Sequence, residues 1–427
     1  MTAPSITTLR QLIMESRDGE WGQSDTFQNS VEMAVIRGTD FEQVRLGSLD
    51  SVPVRHVSRH IAERKMLRSY DIVIETAGGT KGRSTGRTLL IKPSTIARSG
   101  LPLTCASFSR FVRVNPNKAD PAYVFWVLQY LHSSGHMMQY NTQHTGVSRF
   151  QFTIFAESEP LMCPPLPNQH KIATILCAYD DLIENNTRRI KILEEMAQAI
   201  YREWFVHFRF PGHEKAKMID SQQGRVPEGW LAAKLGDVAE EVRRSVHPSR
   251  VDPDTPYFGL EHLPRKSIAL SEWGVAGKLQ STKLAFEKGE ILFGKIRPYF
   301  HKVGVAPVRG ICSSDTIVIR PKEPQFFGFV LACVSSEAFV DHAAKTSQGT
   351  KMPRANWEVL VKYPLLIPPV PLLLPFNEQM RQSVDLMHNL IFCNRNLRQT
   401  RDLLLPRLIS GEVDVSELEI DEGNAVT

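Results

Sequence analysis

Residues 164–211 constrain this chain more than any other stretch. They open PPLPNQHKIATIL and continue through DDLIENNTRRIKILEEMAQAIYREWFVHFRFPG. Pro164, Pro165 and Pro167 have no amide hydrogen to donate and suit a helix start, while Pro211-Gly212 supplies a stop. Between them apolar residues fall at Ile175, Tyr179, Leu182, Ile190, Leu193, Ala197, Ile200 and Trp204. Steps of three and four keep such residues on one side of a helix, which predicts the seam of a coiled coil. Asn186 fills the gap in the stripe; a buried Asn lowers stability but penalises wrong registers. About forty helical residues reach roughly 60 Å at 1.5 Å per residue. The segment therefore reads as a spacer, flanked by the charges of Arg188, Arg189, Lys191, Glu194 and Glu195.

Length and composition limit what surrounds the spacer. A chain of 427 residues, 42% apolar and 23% charged, predicts a soluble globular protein of several domains. It has no apolar run long enough to span a membrane, and MTAPSITTLRQLIMES lacks a signal-like apolar core, so a cytoplasmic location is expected. Cys105, Cys163, Cys177, Cys312, Cys333 and Cys393 are scattered without a CxxC pair. They fit reduced thiols and suggest neither a disulfide frame nor a zinc site. A net charge of +5 is mildly basic and leans only slightly towards nucleic acid.

The order of segments repeats. The first half runs SYDIVIETAGG, CASFSRFVRVNP, PAYVFWVLQYLHS, QHTGVSRFQF and PPLP. The second runs KGEILFGKIRPYF, CSSDTIVIRPKEP, FFGFVLACVSSEAF, SQGTKMPRANW and PPVP. Local identity is low, yet chance rarely reproduces the order and spacing of five consecutive elements. A second helical tract follows, with apolar positions at Leu386, Leu390, Cys393, Leu397 and Leu404 and another central asparagine, Asn394. Ile175, Leu182, Asn186, Ile190 and Leu193 on one helix and Leu390, Asn394 and Leu397 on the other are the candidate core of an antiparallel pair. Pro406 and Gly411 are expected to end the second helix early, before an acidic tail.

The predicted fold is α+β, with two similar globules separated by two long helices that form an antiparallel coiled coil. Short β-runs at residues 72–74, 108–114, 291–293 and 317–319, set among Gly, Pro and Ser turns, argue against a doubly wound sheet. The expected boundaries are a first globule at 1–163, the first spacer helix at 164–211, a linker at 212–229, a second globule at 230–367, a second helix at 368–412 and a tail at 413–427.

With this layout in hand, PPLPNQHKIATIL, DDLIENNTRRIKILEEMAQAIYREWF, VPEGWLAAKLGDVA, KGEILFGKIRPYFHKVGVAP and the IRGTDF tract at residues 36–41 resemble the DNA-specificity subunits of type I restriction-modification enzymes. The resemblance spans nearly the whole chain. It implies two target-recognition domains, each reading half of a split sequence in double-stranded DNA, and helices that dock two methyltransferase subunits. Restriction subunits that cut and translocate DNA are a further partner of some such complexes. S-adenosylmethionine, ATP and Mg2+ would be held by partner subunits, with no cofactor on this chain.

Phosphate contacts call for cations and donors on loops, and base edges call for forked donors and amides. GGTKGRSTGR offers Lys81, Arg83 and Arg87, and lacks the spacing of a P-loop. QHTGVSR offers Gln143, His144 and Arg149; at the matching place in the repeat SQGTKMPRAN offers Gln348, Lys351 and Arg354. KIRPYFHK adds Lys295, Arg297 and Tyr299. Ordinary surface turns, or a core aromatic for Tyr299, are the competing readings.

No catalytic residue, cofactor site or metal site is predicted. The chain lacks the Asn/Asp-Pro-Pro-aromatic tetrad of amine methyltransferases, and DPAY at residues 120–123 reads as a helix cap. His56 and His60, and His132 and His136, have helical ligand spacing without a third ligand. Asp180-Asp181 and Glu194-Glu195 are expected to be solvated charges. Two rivals remain open at this point: a coiled-coil adaptor whose globules bind protein, and an enzyme whose site carries no recognisable motif.

Overall fold

In the computed structural model, which describes residues 5–78, 84–144, 147–221 and 224–419, the sequence repeat becomes a repeat of sheet topology. One antiparallel sheet runs in the order Ile13–Asp18, Ser109–Val114, Ile72–Glu75, Thr88–Leu90. Its counterpart runs Ala239–Glu241, Thr316–Pro321, Ile291–Gly294, Val303–Val305. The central strands IVIE and ILFG are buried at every residue, as continuous apolar runs require when both faces are covered. A parallel pair recurs as well: Ser30–Ile36 lies beside Leu103–Cys105, and Pro256–Phe258 beside Gly310–Cys312. Each globule closes its first strand on the strand leading into a long helix, Ser5–Thr8 on Pro160–Cys163 and Leu231–Lys234 on Pro364–Ile367. The fold is thus α+β, as the sequence predicts.

The long helices are Leu166–Tyr201, continued by a π-helical turn over Arg202–Val206, and Val370–Ile409. The chain divides into two compact units, residues 1–185 with 395–427 and residues 186–394, and the division passes through both helices.

In the first unit, the buried helix Pro121–Ser133 packs in one cluster with Ile172, Ala173 and Leu176 of the first long helix and Leu405, Leu408 and Ile409 of the second. Lys171 donates to the Ser416 carbonyl at 2.7 Å, and Arg401 bonds Asp180, so the helices run antiparallel. In the second unit, Asn186 meets Asn394 and the Phe205 ring lies 4.6 Å from Phe376, again antiparallel. Aromatic residues crowd this end: Tyr201, Phe205, Phe210 and Trp230 share a core with Phe329 and Phe376.

The seam keeps Ile190 and Ala197 of the apolar stripe and differs from it in phase elsewhere. Leu182 is 51% exposed, and its neighbour Ile183 is buried in its place. Leu176, Ile183, Ile190 and Ala197 recur at heptad spacing and are all buried. Asp180, Thr187, Glu194 and Tyr201 form the alternate set at the same spacing. Because that set is largely polar, counting apolar residues alone shifts the stripe by one. Ile175 and Leu193 flank the seam, Leu390 and Asn394 are buried in it, and Leu397 is half-buried.

Asp180 and Glu194 consequently depart from the solvated reading. Asp180 is 5% exposed and accepts from Arg45 Nε at 2.7 Å and from Arg401. Burial alone would raise its carboxyl, but the two guanidiniums outweigh burial and hold it below the usual range. Glu194 accepts from the Ser267 hydroxyl and the Ile268 and Ala269 amides at 2.7, 2.7 and 3.0 Å. Burial nonetheless pushes its carboxyl up. Asp181 remains exposed yet is bonded by Lys92 at 2.6 Å.

Two further expectations change. The second helix continues through Pro406 to Ile409, where Leu405, Leu408 and Ile409 are buried and Ser410 N–H bonds the Pro406 carbonyl. Packing of that last turn outweighs the one backbone bond that proline forfeits. The expected linker contains a β-hairpin, Met218–Ser221 with Gly224–Pro227. No single helix among the described residues is long and apolar enough to cross a membrane.

Candidate nucleic-acid interface

The polar loops singled out by sequence converge in pairs. In the first unit the chain leaves the central strand at Glu75 and pairs at once with Val147–Phe150, Ala77 opposite Arg149 and Gly78 opposite Ser148. That strand forms a hairpin with Asn141–His144. Thr85 bonds Asn141 with its hydroxyl and so ties the end of the GGTKGRSTGR loop to the same hairpin.

In the second unit the chain leaves its central strand at Gly294, and Ile296 bridges Arg354. Arg297 N–H bonds the Pro353 carbonyl at 2.7 Å, and Ala355 N–H bonds the Lys295 carbonyl at 2.9 Å. Gln348 and Arg354 close the SQGTKMPRAN turn through two backbone bonds of 3.0 and 2.8 Å. Gly349 within it has a φ of 97°, which a side chain would strain. Arg149 and Arg354 therefore occupy one register: each faces the second residue beyond its central strand.

The predicted residues have different fates. Arg149, Gln348, Lys351, Arg354 and Tyr299 are exposed, and Lys295 and Arg297 are half-buried. Arg87 is already committed. Its Nε and Nη2 bond Glu75 at 2.9 and 2.6 Å, and its guanidinium lies 5.6 Å from the Phe41 ring, so it braces the loop and does not present a free fork. Gly38 of the IRGTDF tract packs on the same carboxylate, where an added Cβ would lie 2.5 Å from Glu75 Oε1. Lys81 and Arg83 lie outside the described residues, as do the side chains of Gln143 and His144, whose backbone is in strand Asn141–His144.

Backbone strain gathers at the second pair of loops. Lys266, Arg297 and His301 have φ of 55°, 49° and 51°. Non-glycine residues in this region cost on the order of 1 kcal/mol or more each and persist where the surroundings over-determine them. Here His301 is buried and its Nε2 bonds the Ser335 carbonyl at 2.8 Å, while Lys266 N–H bonds the His301 carbonyl at 2.8 Å. Arg265 stacks 4.1 Å above Phe300 in the same loop. Beside the first pair opens a groove of about 470 Å³ lined by Asp18, Thr76, Arg110, Phe152 and Ile154 among others.

Sequence reasoning missed the residue that follows each buried cysteine by three. The Phe108 carbonyl accepts from Thr76 N–H at 2.9 Å, and the Asp315 carbonyl accepts from Lys295 N–H at 2.9 Å. The repeat sets CASF against CSSD and so places these two at one position, but neither segment carries a polar pattern that marks a loop brace. Burial pushes both thiols up to about 12, which makes them inert packing groups.

The residues offer hydrogen-bond forks, cations and aromatic faces, the chemistry of phosphate and base contact. Among the described residues no group of His, Cys, Asp or Glu is arranged to hold a metal ion. His56 lies in strand Val54–Ser58 and His60 in helix Arg59–Lys65, so they share no helix face. Asp120 caps helix Pro121–Ser133, accepting from Tyr123 N–H at 2.7 Å, which accounts for the DPAY tract.

Residues 69–195 match the profile of the type I restriction modification DNA specificity domain. The chain resembles type I specificity subunits. It is 26% identical over 303 residues to the type I restriction enzyme MjaIX specificity subunit of Methanocaldococcus jannaschii, covering 68% of this chain and 69% of that protein. With the EcoDI specificity subunit of Escherichia coli it shares 25% identity over 218 residues, 47% of this chain and 48% of that one. The crystal structure of the type I restriction-modification S subunit of M. genitalium has the same fold, with a TM-score of 0.58 and 12% identity over 95% of this chain and 96% of that one.

Proposed function

We propose that this chain is the DNA-specificity subunit of a type I restriction-modification complex. Each globule reads one half of a split duplex target, and the long helices dock two methyltransferase subunits. The observation that carries the reading is the repeated register of Arg149 and Arg354, each exposed and each bridged to the loop beyond a buried central strand. A rigid scaffold holding forked donors at a surface loop is what base reading needs. The match to the specificity domain and to named specificity subunits supports the same reading.

On this reading the chain performs no chemistry. S-adenosylmethionine, ATP and Mg2+ act on methyltransferase and restriction partners in the cytoplasm, and the methyltransferases flip and modify adenine. The deciding experiment is co-expression with the methyltransferase subunits, followed by mapping of methylated adenines across the host DNA. A split motif whose halves change independently when each globule is exchanged is the expected result; a stable complex that methylates nothing would defeat the proposal.

A further inference from the structure

The repeat places two chemically opposite side chains at one position. Phe108 and Asp315 both follow a buried cysteine by three, and both use the backbone carbonyl to hold the first residue beyond the central strand. The next residue, Ser109 or Thr316, is buried in each unit and begins the neighbouring strand. The backbone frame is therefore shared, and only the side chain differs.

Beside Asp315, Arg354 Nε lies 3.6 Å from the carboxylate, and the guanidinium remains exposed. A carboxylate on the Nε side restrains the arginine while leaving both terminal nitrogens free as a fork. Phe108 offers its arginine no such partner. Arg149 makes no ion pair among the described residues, and the Phe108 ring stands 66% exposed on the polar surface. An exposed phenyl ring at a loop tip satisfies no core requirement here, but an apolar face matches the methyl edge of thymine.

We propose, resting on the specificity-subunit reading, that this position makes the two half-sites chemically unlike. Asp315 is a positioning residue that orients the Arg354 fork onto the O6 and N7 edge of a guanine in the second half-site. Phe108 contacts the thymine methyl of an A·T pair in the first half-site. The first half-site thus depends on the reach of the phenyl ring, whereas the second depends on a carboxylate.

The test uses the full chain in complex with its methyltransferase subunits, with methylated adenines mapped in cells expressing wild type, F108A, D315A, R354A and the D315A/R354A double variant. Phe108 is exposed and Asp315 half-buried, and thermal melting of each purified complex reports whether it folds. D315A is expected to relax one G·C position of one half-site about tenfold and leave the other half-site intact. The same substitution should have no added effect in the R354A background, which separates positioning from a general loss of stability. F108A is expected to relax an A·T position in the opposite half-site. Unchanged motifs for folded F108A and D315A, or relaxation spread evenly over both half-sites, would overturn the inference while leaving the specificity reading intact. Absence of any split motif with wild type would instead remove the reading on which it rests.

Discussion

Asn186 Nδ2 donates to Asn394 Oδ1 at 2.9 Å, each asparagine reaching across the seam from its own long helix. Asn394 also donates to the Thr187 hydroxyl at 3.3 Å, so one layer of the helix pair is polar on both sides. Such a layer is satisfied only in one register, and that is its structural use.

The layer yields a paired prediction. Asn186→Ala removes the amide that donates to Asn394 Oδ1 in the buried layer and should cost about 1–2 kcal/mol in urea denaturation. Replacing both asparagines by leucine should raise the melting temperature, while gel filtration shows new oligomers as register control is lost. A double variant that melts lower, or elutes as the wild type does, would count against register control.

Asp180 carries a larger stake. It is shared by Arg45 and Arg401, whose guanidiniums lie 5.3 and 5.8 Å from the Trp126 ring. Asp180→Ala leaves Arg45 without an ion-pair partner among the described residues in a largely buried site, while Arg401 keeps Asp402, and should cost about 3 kcal/mol. Converting Asp180, Arg45 and Arg401 together to apolar residues should recover most of that loss. Since the folded carboxyl lies below its unfolded value of 3.8, its stabilisation is present at neutral pH and disappears as pH falls below that value.

His388 sets a separate pH window. It is buried on the second long helix with neither ring nitrogen in a well-formed hydrogen bond among the described residues, and burial followed by the charge of Lys288 pushes it down to about 4 against the opposing Val305 backbone and Asp385 carboxylate. The native state stays neutral while the unfolded chain takes up a proton near 6.5, so stability should fall as pH drops from 6.5 towards 4. The loss should be on the order of 2–3 kcal/mol by pH 4. His388→Met should flatten the melting temperature across that window; an unchanged slope would show that another group titrates there.

The exposed cations predict a salt signature. Lys351→Ala in the assembled complex should weaken binding to all duplexes alike, and reduce the slope of log affinity against log salt by about one. Arg87→Ala should behave differently, since Arg87 bonds Glu75. Its effect should appear first as lost thermal stability of the first unit, measured without DNA.

What was legible in the sequence was what local pattern determines. The buried strands at Ile72–Glu75 and Ile291–Gly294, the capped helix after Asp120 and the two long helices all declare themselves through runs, caps and periodicity. The repeat also predicted that the loops holding Arg149 and Arg354 correspond. Partners distant in sequence were not legible. Nothing near Arg87 announces Glu75 as its permanent partner across a turn, and nothing near Asp180 announces Arg45 or Arg401. Leu182 and Ile183 are equally apolar neighbours, so only the polar layers above and below decide which faces inward. Hydrophobic periodicity fails where a seam uses charge and amide layers in place of leucine.

The asparagine layer also marks where the chain enters and leaves the second unit. The polypeptide enters that unit at Asn186 and leaves it at Asn394, and these two residues touch. In topological terms the second unit is an insertion whose ends already meet, carried by a first unit that supplies both flanking segments. A short turn joining residues 185 and 395 would close the gap left by removing the insert, and any foreign module with similarly adjacent ends could be spliced into the same place.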